Sequence, residues 1–188
     1  AGGGEIHHNL GAMLAREGRL PDAALKLERA YELEPDLPDL RLQLAQIKLE
    51  LGDIDAAREL LQVEAEAPAG STRDAKLLLA QVELQQGRVK SASALTDSVL
   101  KDNPKDVEAV VLSYVLAIRG EGDLEAMRAL TIKALGTRAA VAQVLLEQGI
   151  FDEAEVLLRE ALTAEAQDAT APVLLAAVLL STGRKDEA

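Results

Sequence analysis

Apolar residues recur along this chain at separations of three, four and seven, the spacing that gathers side chains on one face of an α-helix. Ala23, Leu27 and Ala30 form one such face, Leu42 and Leu49 another, Leu77 and Leu84 a third. Each apolar stretch ends at a glycine, and the glycines are themselves periodic. Gly18, Gly52, Gly87, Gly122, Gly149 and Gly183 follow one another at intervals of 34, 35, 35, 27 and 34 residues. Two residues beyond them stand Leu20, Ile54, Val89, Leu124 and Phe151, with Lys185 departing from the rule. Five residues beyond stand Ala23, Ala57, Ala92, Met127, Ala154 and Ala188. A glycine accepts the left-handed backbone that closes a helix, so the chain can reverse within a few residues. Pro21 falls in the first turn of the next helix, where its missing N–H costs nothing. The small residue after the turn lets that helix lie close on the preceding one. There Gly11, Ala45, Ala80 and Ala142 each follow a large apolar residue (Leu10, Leu44, Leu79 and Val141). The predicted unit is an antiparallel helical hairpin of about 34 residues, which must stack on neighbours to bury its remaining apolar face.

This pattern resembles the tetratricopeptide repeat. In the first copy Leu10, Gly11, Gly18, Ala23, Leu27, Ala30 and Pro35 match the family's spacing, and Pro104 takes the stop position of Pro35 in the third. The resemblance implies an all-α, right-handed superhelical solenoid of about five and a half hairpins, running as one array over residues 1–188. The copies fall at 4–37, 38–72, 73–106, 107–134 and 135–168, with an incomplete one from 169. Where the family carries a bulky aromatic at its fourth position, this chain has His7, Arg41 and Lys76. The fourth copy is irregular. Tyr114 or Val115 stands in the place of the small residue, and Met127 replaces the crossing alanine. Seven residues fewer separate Met127 from Ala142 than Ala23 from Ala45, about two helical turns. The helices around Gly136 are therefore expected to shorten without rotating their faces, and the local curvature to change. The helix from Ala171 to Thr182 is expected to leave an apolar side open, with Ala188 at the start of its partner, as in a piece of a longer array. Ala1 to Gly4 reads as linker.

Composition narrows the picture further. Aromatics make up only 2% of the chain, with Tyr31, Tyr114 and Phe151 the whole supply. The core must therefore come from Leu, Ala, Val and Ile, which suits closely packed helices. A net charge of −12 argues against nucleic acid and anionic membrane surfaces, both of which attract Lys and Arg. No apolar run reaches the roughly 18 residues needed to cross a bilayer, and Ala171 to Leu180 reads as a buried helix. The absence of cysteine excludes disulfides and thiolate sites, and it fits a cytoplasmic or a periplasmic home equally. The Ala/Leu-rich style is bacterial in flavour.

Nothing in the sequence carries catalysis, a metal or a cofactor. His7 and His8 are adjacent, so on a helix they point about 100° apart and cannot share a metal as an i, i+4 pair could. Glu153 with Glu155, and Asp53 with Asp55, read as solvated helix surface. Gly2 to Gly4 lacks the lysine of a phosphate loop. The resemblance implies instead that the first helix of each hairpin lines a concave, peptide-binding face. Carried over residue by residue, that face comprises Asn9 (beside His8, Ala12 and Arg16), then Leu42, Gln43, Gln46 and Leu49. It continues through Leu77, Leu78, Gln81, Leu84 and Gln85, then Val111 and Ile118, then Gln143. An aliphatic stripe edged by glutamine fits an apolar helix or extended segment. A carboxylate clamp is excluded, because only Asn9 matches it, with Gln43, Asp74 and Leu78 in the other places. The competing reading of the same leucines is plain core. The function implied is a non-catalytic scaffold that holds a peptide or helix of a partner protein. Two alternatives stand beside it: the accessory array of a larger enzyme, such as a glycosyl- or sulfotransferase, and a module that self-associates through exposed end repeats.

Overall fold

Periodic glycines and three-four apolar spacing translate into helices throughout. The computed structural model describes residues 2–67, 72–165 and 167–184, and among them there are eleven helices and no strand. They are α1 (Gly3–Arg16), α2 (Leu20–Leu33), α3 (Leu40–Glu50), α4 (Ile54–Ala65), α5 (Thr72–Gln85) and α6 (Val89–Asp102), then α7 (Val107–Ile118), α8 (Leu124–Leu135), α9 (Arg138–Glu147), α10 (Phe151–Ala164) and α11 (Thr170–Ser181). The chain forms two compact units, Ala1–Asp102 and Asn103–Ala188.

In the first unit the small-residue crossings are the organising feature. Ala23, Ala45, Ala57, Ala80 and Ala92 are all fully buried. A Cβ on Gly11 would lie 2.7 Å from Leu27 Cγ, so the backbone of α1 approaches α2 as closely as a side chain elsewhere. Two apolar seams follow. Leu40, Leu44 and Ile47 of α3 pack on Ala24, Leu27 and Ala30 of α2. Ala75, Leu79 and Val82 of α5 pack on Ala57, Leu61 and Ala65 of α4, with Leu42 and Ala45 of α3 joining them. Each leucine so buried contributes about 1.5–3 kcal/mol.

The fourth-position cations Arg41 and Lys76 become polar clips between the two helices of a hairpin. Arg41 Nε donates to Glu64 at 2.8 Å, and Lys76 Nζ donates to Ser98 Oγ at 2.9 Å. Arg138, at the corresponding place in α9, donates from Nη1 to Glu165 at 2.7 Å and pairs through Nε with Glu160. Glu83 is buried between Arg58 and Arg88. The hydrogen bond from Arg88, and then that from Arg58, outweigh burial and hold its carboxyl below the ordinary carboxylate value.

Three expectations are corrected here. Gly3 and Gly4 are not linker but the first turn of α1. Gly4 is buried, and its N–H, with that of Gly2, donates to Glu34 Oε1 at 3.2 Å. Asp53, Glu153 and Glu155 are not merely solvated charges. Asp53 caps α4, Glu155 is buried beneath Arg184 and Arg159, and Glu153 accepts from Tyr114. The hydrogen bond from Arg184, stronger than the cost of burial, holds Glu155 below its ordinary value.

The third correction concerns the fourth hairpin. Its turn glycine is Gly120 rather than Gly122. Gly120 N donates to Ala117 O and Glu121 N to Leu116 O, both at 3.0 Å. The same pair closes α3, where Gly52 N donates to Leu49 O and Asp53 N to Lys48 O. Gly120 and Gly52 have φ of +98° and +80°, a conformation that side chains with a Cβ rarely adopt. In this register Ser113, not Tyr114, occupies the place of Ala45, and Glu121 and Gly122 lengthen the turn. Most of the residues missing between Met127 and Ala142 come out of the connection before α9, and the rest out of the end of α8 and the start of α9. Only Gly136 and Thr137 separate α8 from α9, and the chain turns through 106° there. In α11, Ala171, Val178 and Leu179 are buried, whereas Val173 and Leu180 are 68% and 52% exposed. Ala1, Lys185 and Ala188 lie outside the described residues.

Candidate peptide groove

The residues expected to line a peptide-binding face divide three ways. Some belong to the interior. Leu77 is 1% exposed and Leu42 8%, so neither presents a surface to a ligand. Leu42 packs with Ala45, Leu61 and Leu79. Glutamate at either place would be a buried charge and would unfold the unit, so these two leucines are withdrawn from the groove.

A second group stays at the surface of the first unit. Asn9, Gln46 and Gln85 are exposed, while Gln43, Leu49, Leu78, Gln81 and Leu84 are half-buried. Of these, Gln43 and Gln46 line a recess of ≈ 200 Å³ between α1 and α3, with Ala12, Ala15, Arg16, Leu27 and Ile47. Its floor is apolar and its rim carries amides and a guanidinium. His8 Nε2 donates to Gln43 Oε1 at 3.1 Å, which ties α1 to α3 and orients that amide. Helical periodicity explains the alternation. Gln43, Gln46 and Leu49 share one face of α3, and Leu78, Gln81 and Leu84 the same face of α5.

The third group lies in the second unit and is not assembled in the same way. Aligned on Gly120 and Gly52, Tyr114 stands in the place of Gln46. Gln46 is exposed, but Tyr114 is 0% exposed, and its hydroxyl donates to Glu153 Oε1 of α10 at 2.6 Å. Burial first, and then this hydrogen bond, keep the phenol protonated well above the usual tyrosine range. Val111 and Ile118 are half-buried on either side of it, and Gln143 is exposed on α9.

Ile118 instead helps to line a recess of ≈ 440 Å³ with Arg119 and the turn Gly149–Ile150–Phe151, closed by Asp152, Glu153 and Val156. Sequence reasoning misses this recess. Its one available signal is Phe151, the only phenylalanine, standing where other copies have an aliphatic residue; it is 43% exposed. A further recess of ≈ 390 Å³ lies over α5 between α4 and α6, with Leu79, Ala94 and Leu95 at its base and Arg58, Glu66 and Lys76 around it. Among the described residues no group of three or more His, Asp or Glu is placed to hold a metal ion. Among the described residues no single helix is long and apolar enough to cross a membrane.

Comparison with known proteins bears on the fold. The tetratricopeptide repeat model matches residues 14–71 and 145–188. A thermophilic TPR protein of Thermus thermophilus, TTC0263, is 24% identical, with a TM-score of 0.59 over 94% of this chain and 99% of that one. A tetratricopeptide repeat protein of Parabacteroides merdae ATCC 43184 is 18% identical, with a TM-score of 0.72 over 98% of this chain and 75% of that one. MamA of Desulfovibrio magneticus RS-1, from residue 41 to its end, is 17% identical, with a TM-score of 0.68 over 90% and 98% of the two chains. No curated protein matches the sequence.

Proposed function

Since the chain belongs to the tetratricopeptide repeat family, we propose that it is a non-catalytic scaffold that holds a peptide or helix of a partner protein on the α1, α3 and α5 face of its first unit. The observation that carries this reading is the alternation along that face. Leu49, Leu78 and Leu84 are half-buried on the helix faces that carry Gln43, Gln46 and Gln81, and Gln43 and Gln46 line the recess between α1 and α3. Partly exposed aliphatics supply burial, while glutamines donate or accept according to the ligand presented. Asn9 and Arg16 extend the polar rim along α1. A similar fold serves such a role elsewhere: YrrB, 15% identical with a TM-score of 0.63, is described as a TPR protein with an unusual peptide-binding site. In the second unit Val111, Ile118 and Gln143 are left out of the proposed surface, because Tyr114 fills the middle of α7.

The test is to pan a displayed peptide library against the intact chain and retest the selected peptides on two variants. Leu84→Glu, at a half-buried surface position, is expected to weaken them at least tenfold while the circular dichroism spectrum stays unchanged. Gln46→Ala is expected to weaken them less. Peptides indifferent to both would remove the groove from the α1, α3 and α5 face.

A further inference from the structure

The recess beside Phe151 lies inside the second unit, between the end of α7 and the first turn of α10, and the groove makes no use of it. Its volume of ≈ 440 Å³ falls in the range of about 300–1,000 Å³ typical of ligand pockets. Its walls are interior to the unit, with α8 and α9 between them along the chain and α11 packed on α10 beyond.

Two of its side chains depart from the repeat. Phe151 is the first residue of α10, and the first residues of α2, α4, α6 and α8 are Leu20, Ile54, Val89 and Leu124. Those four are aliphatic and half-buried, whereas Phe151 is aromatic and 43% exposed. Arg119 stands one residue before the turn glycine Gly120, where other copies have Glu17, Leu51, Gln86, Gln148 and Thr182.

Arg119 is unusual in a second respect. Of the twelve arginines in the sequence, ten contact a carboxylate among the described residues. Arg16 and Arg119 do not, in a chain whose net charge is −12, and each of the two lines a recess. The acids beside Arg119 are engaged elsewhere. Glu153 accepts from Tyr114 and contacts Arg128. Asp152 stands with Glu153 in the first turn of α10, where the helix dipole favours negative charge.

We propose that this recess is a docking pocket for an acidic peptide segment of a partner protein. A bulky apolar side chain of the segment lies against Ile118, Ile150, Phe151 and Val156, and a neighbouring carboxylate takes the guanidinium of Arg119. The apolar wall supplies burial, and a guanidinium meets a carboxylate through two parallel N–H···O bonds. Aromatic and arginine side chains are also the kind that most often anchor a protein contact. The pocket is separate from the α1, α3 and α5 face and does not rest on it.

The test is a titration of the full chain, methyl-labelled at isoleucine and valine, with the peptide acetyl-Leu-Phe-Asp-Glu-amide, followed by NMR. Saturable shifts are expected at the methyls of Ile118, Ile150 and Val156. The peptide with Asn and Gln in place of its two acids, and the one with Ser in place of Leu and Phe, are each expected to bind about tenfold more weakly or worse. Arg119→Gln is expected to bring the acidic and amide peptides to the same weak affinity, while Leu84→Glu changes neither. Arg119 is exposed, so its variant should keep the wild-type melting curve. No saturable shift at millimolar peptide overturns the proposal, as do shifts confined to Ile47 in the other recess. Equal binding of the acidic and amide peptides by the wild-type chain, or acidic binding undiminished in Arg119→Gln, overturns it as well.

Discussion

Helices α3 and α7 are the same element in two hairpins, and the side chain one residue past the crossing sets them apart. In α3, Ala45 lies at the crossing and Gln46 faces outward beside a recess. In α7, Ser113 takes the first place and Tyr114 the second, with its ring wholly buried and its hydroxyl on Glu153, 39 residues away. From there a chain of charges runs on. Arg128 contacts Glu153 at 3.3 Å and Glu160 at 2.9 Å, and Arg138 joins Glu160 to Glu165. The hairpin of α3 is set by the absence of side-chain volume and leaves a surface free. The other is set by one large polar side chain and leaves none at that place. The repeat therefore fixes where helices go, and a single residue decides whether the face they share is a groove or an interior.

Four changes would break or sharpen this contrast. Ala57→Phe has the largest effect. A ring cannot enter a fully buried crossing, and overpacking of about 3 kcal/mol or more should abolish the cooperative thermal transition of the first unit. The equivalent Met127→Phe is half-buried and should move the melting temperature by only a few degrees. If both substitutions proved equally harmful, the two crossings would not differ in kind.

Next, Tyr114→Gln installs the α3 residue in α7 and should cost about 3 kcal/mol through the lost ring. The reverse change, Gln46→Tyr, should leave stability nearly unchanged and reduce binding of groove peptides. Acid provides a third handle. Glu83 is held below its ordinary value, so its contribution is complete above that value of about 4.3 and is lost as pH falls through the depressed one. Denaturant melts between pH 5 and 2 should show this loss, and Glu83→Gln, worth about 1.5 kcal/mol, should flatten it.

Smallest is Tyr114→Phe, at about 1 kcal/mol for one hydrogen bond. Its signature is alkaline. Because the folded phenol holds its proton more tightly, wild-type stability is full below about pH 10, the unfolded value, and falls above it. The variant should lose less over the same range.

Much of this architecture is legible in the residues. Turn glycines, crossing alanines and the apolar face of each helix follow from period and size alone. The fourth hairpin reads two residues out of register because Gly120 and Gly122 both suit a left-handed turn, and only the hydrogen bonds to Ala117 and Leu116 choose between them. Leu77 and Leu78 are neighbours about 100° apart on α5, one interior and one surface. No local pattern separates them, since the choice depends on what packs alongside. The Tyr114–Glu153 bond joins residues too far apart in sequence for any periodicity to couple. The cations at the fourth position are visible, but their carboxylate and hydroxyl partners more than twenty residues on are not.

The distribution of helix caps carries a consequence for how the chain folds. Asp106, Asp123 and Thr137 each accept a backbone N–H, from Ala109, Ala126 and Ala140, so three successive helices of the second unit begin on their own side chains. Of the first four helices only α4 does so, through Asp53. Helix initiation is the unfavourable step and extension the easy one, and a cap worth about 1 kcal/mol acts on the first. In arrays of near-neighbour contacts, ordering spreads from wherever it starts. The stretch from Asp106 to Glu147 is therefore the nucleus we expect to form earliest, with α1 and α2 among the last segments to gain protection from hydrogen exchange.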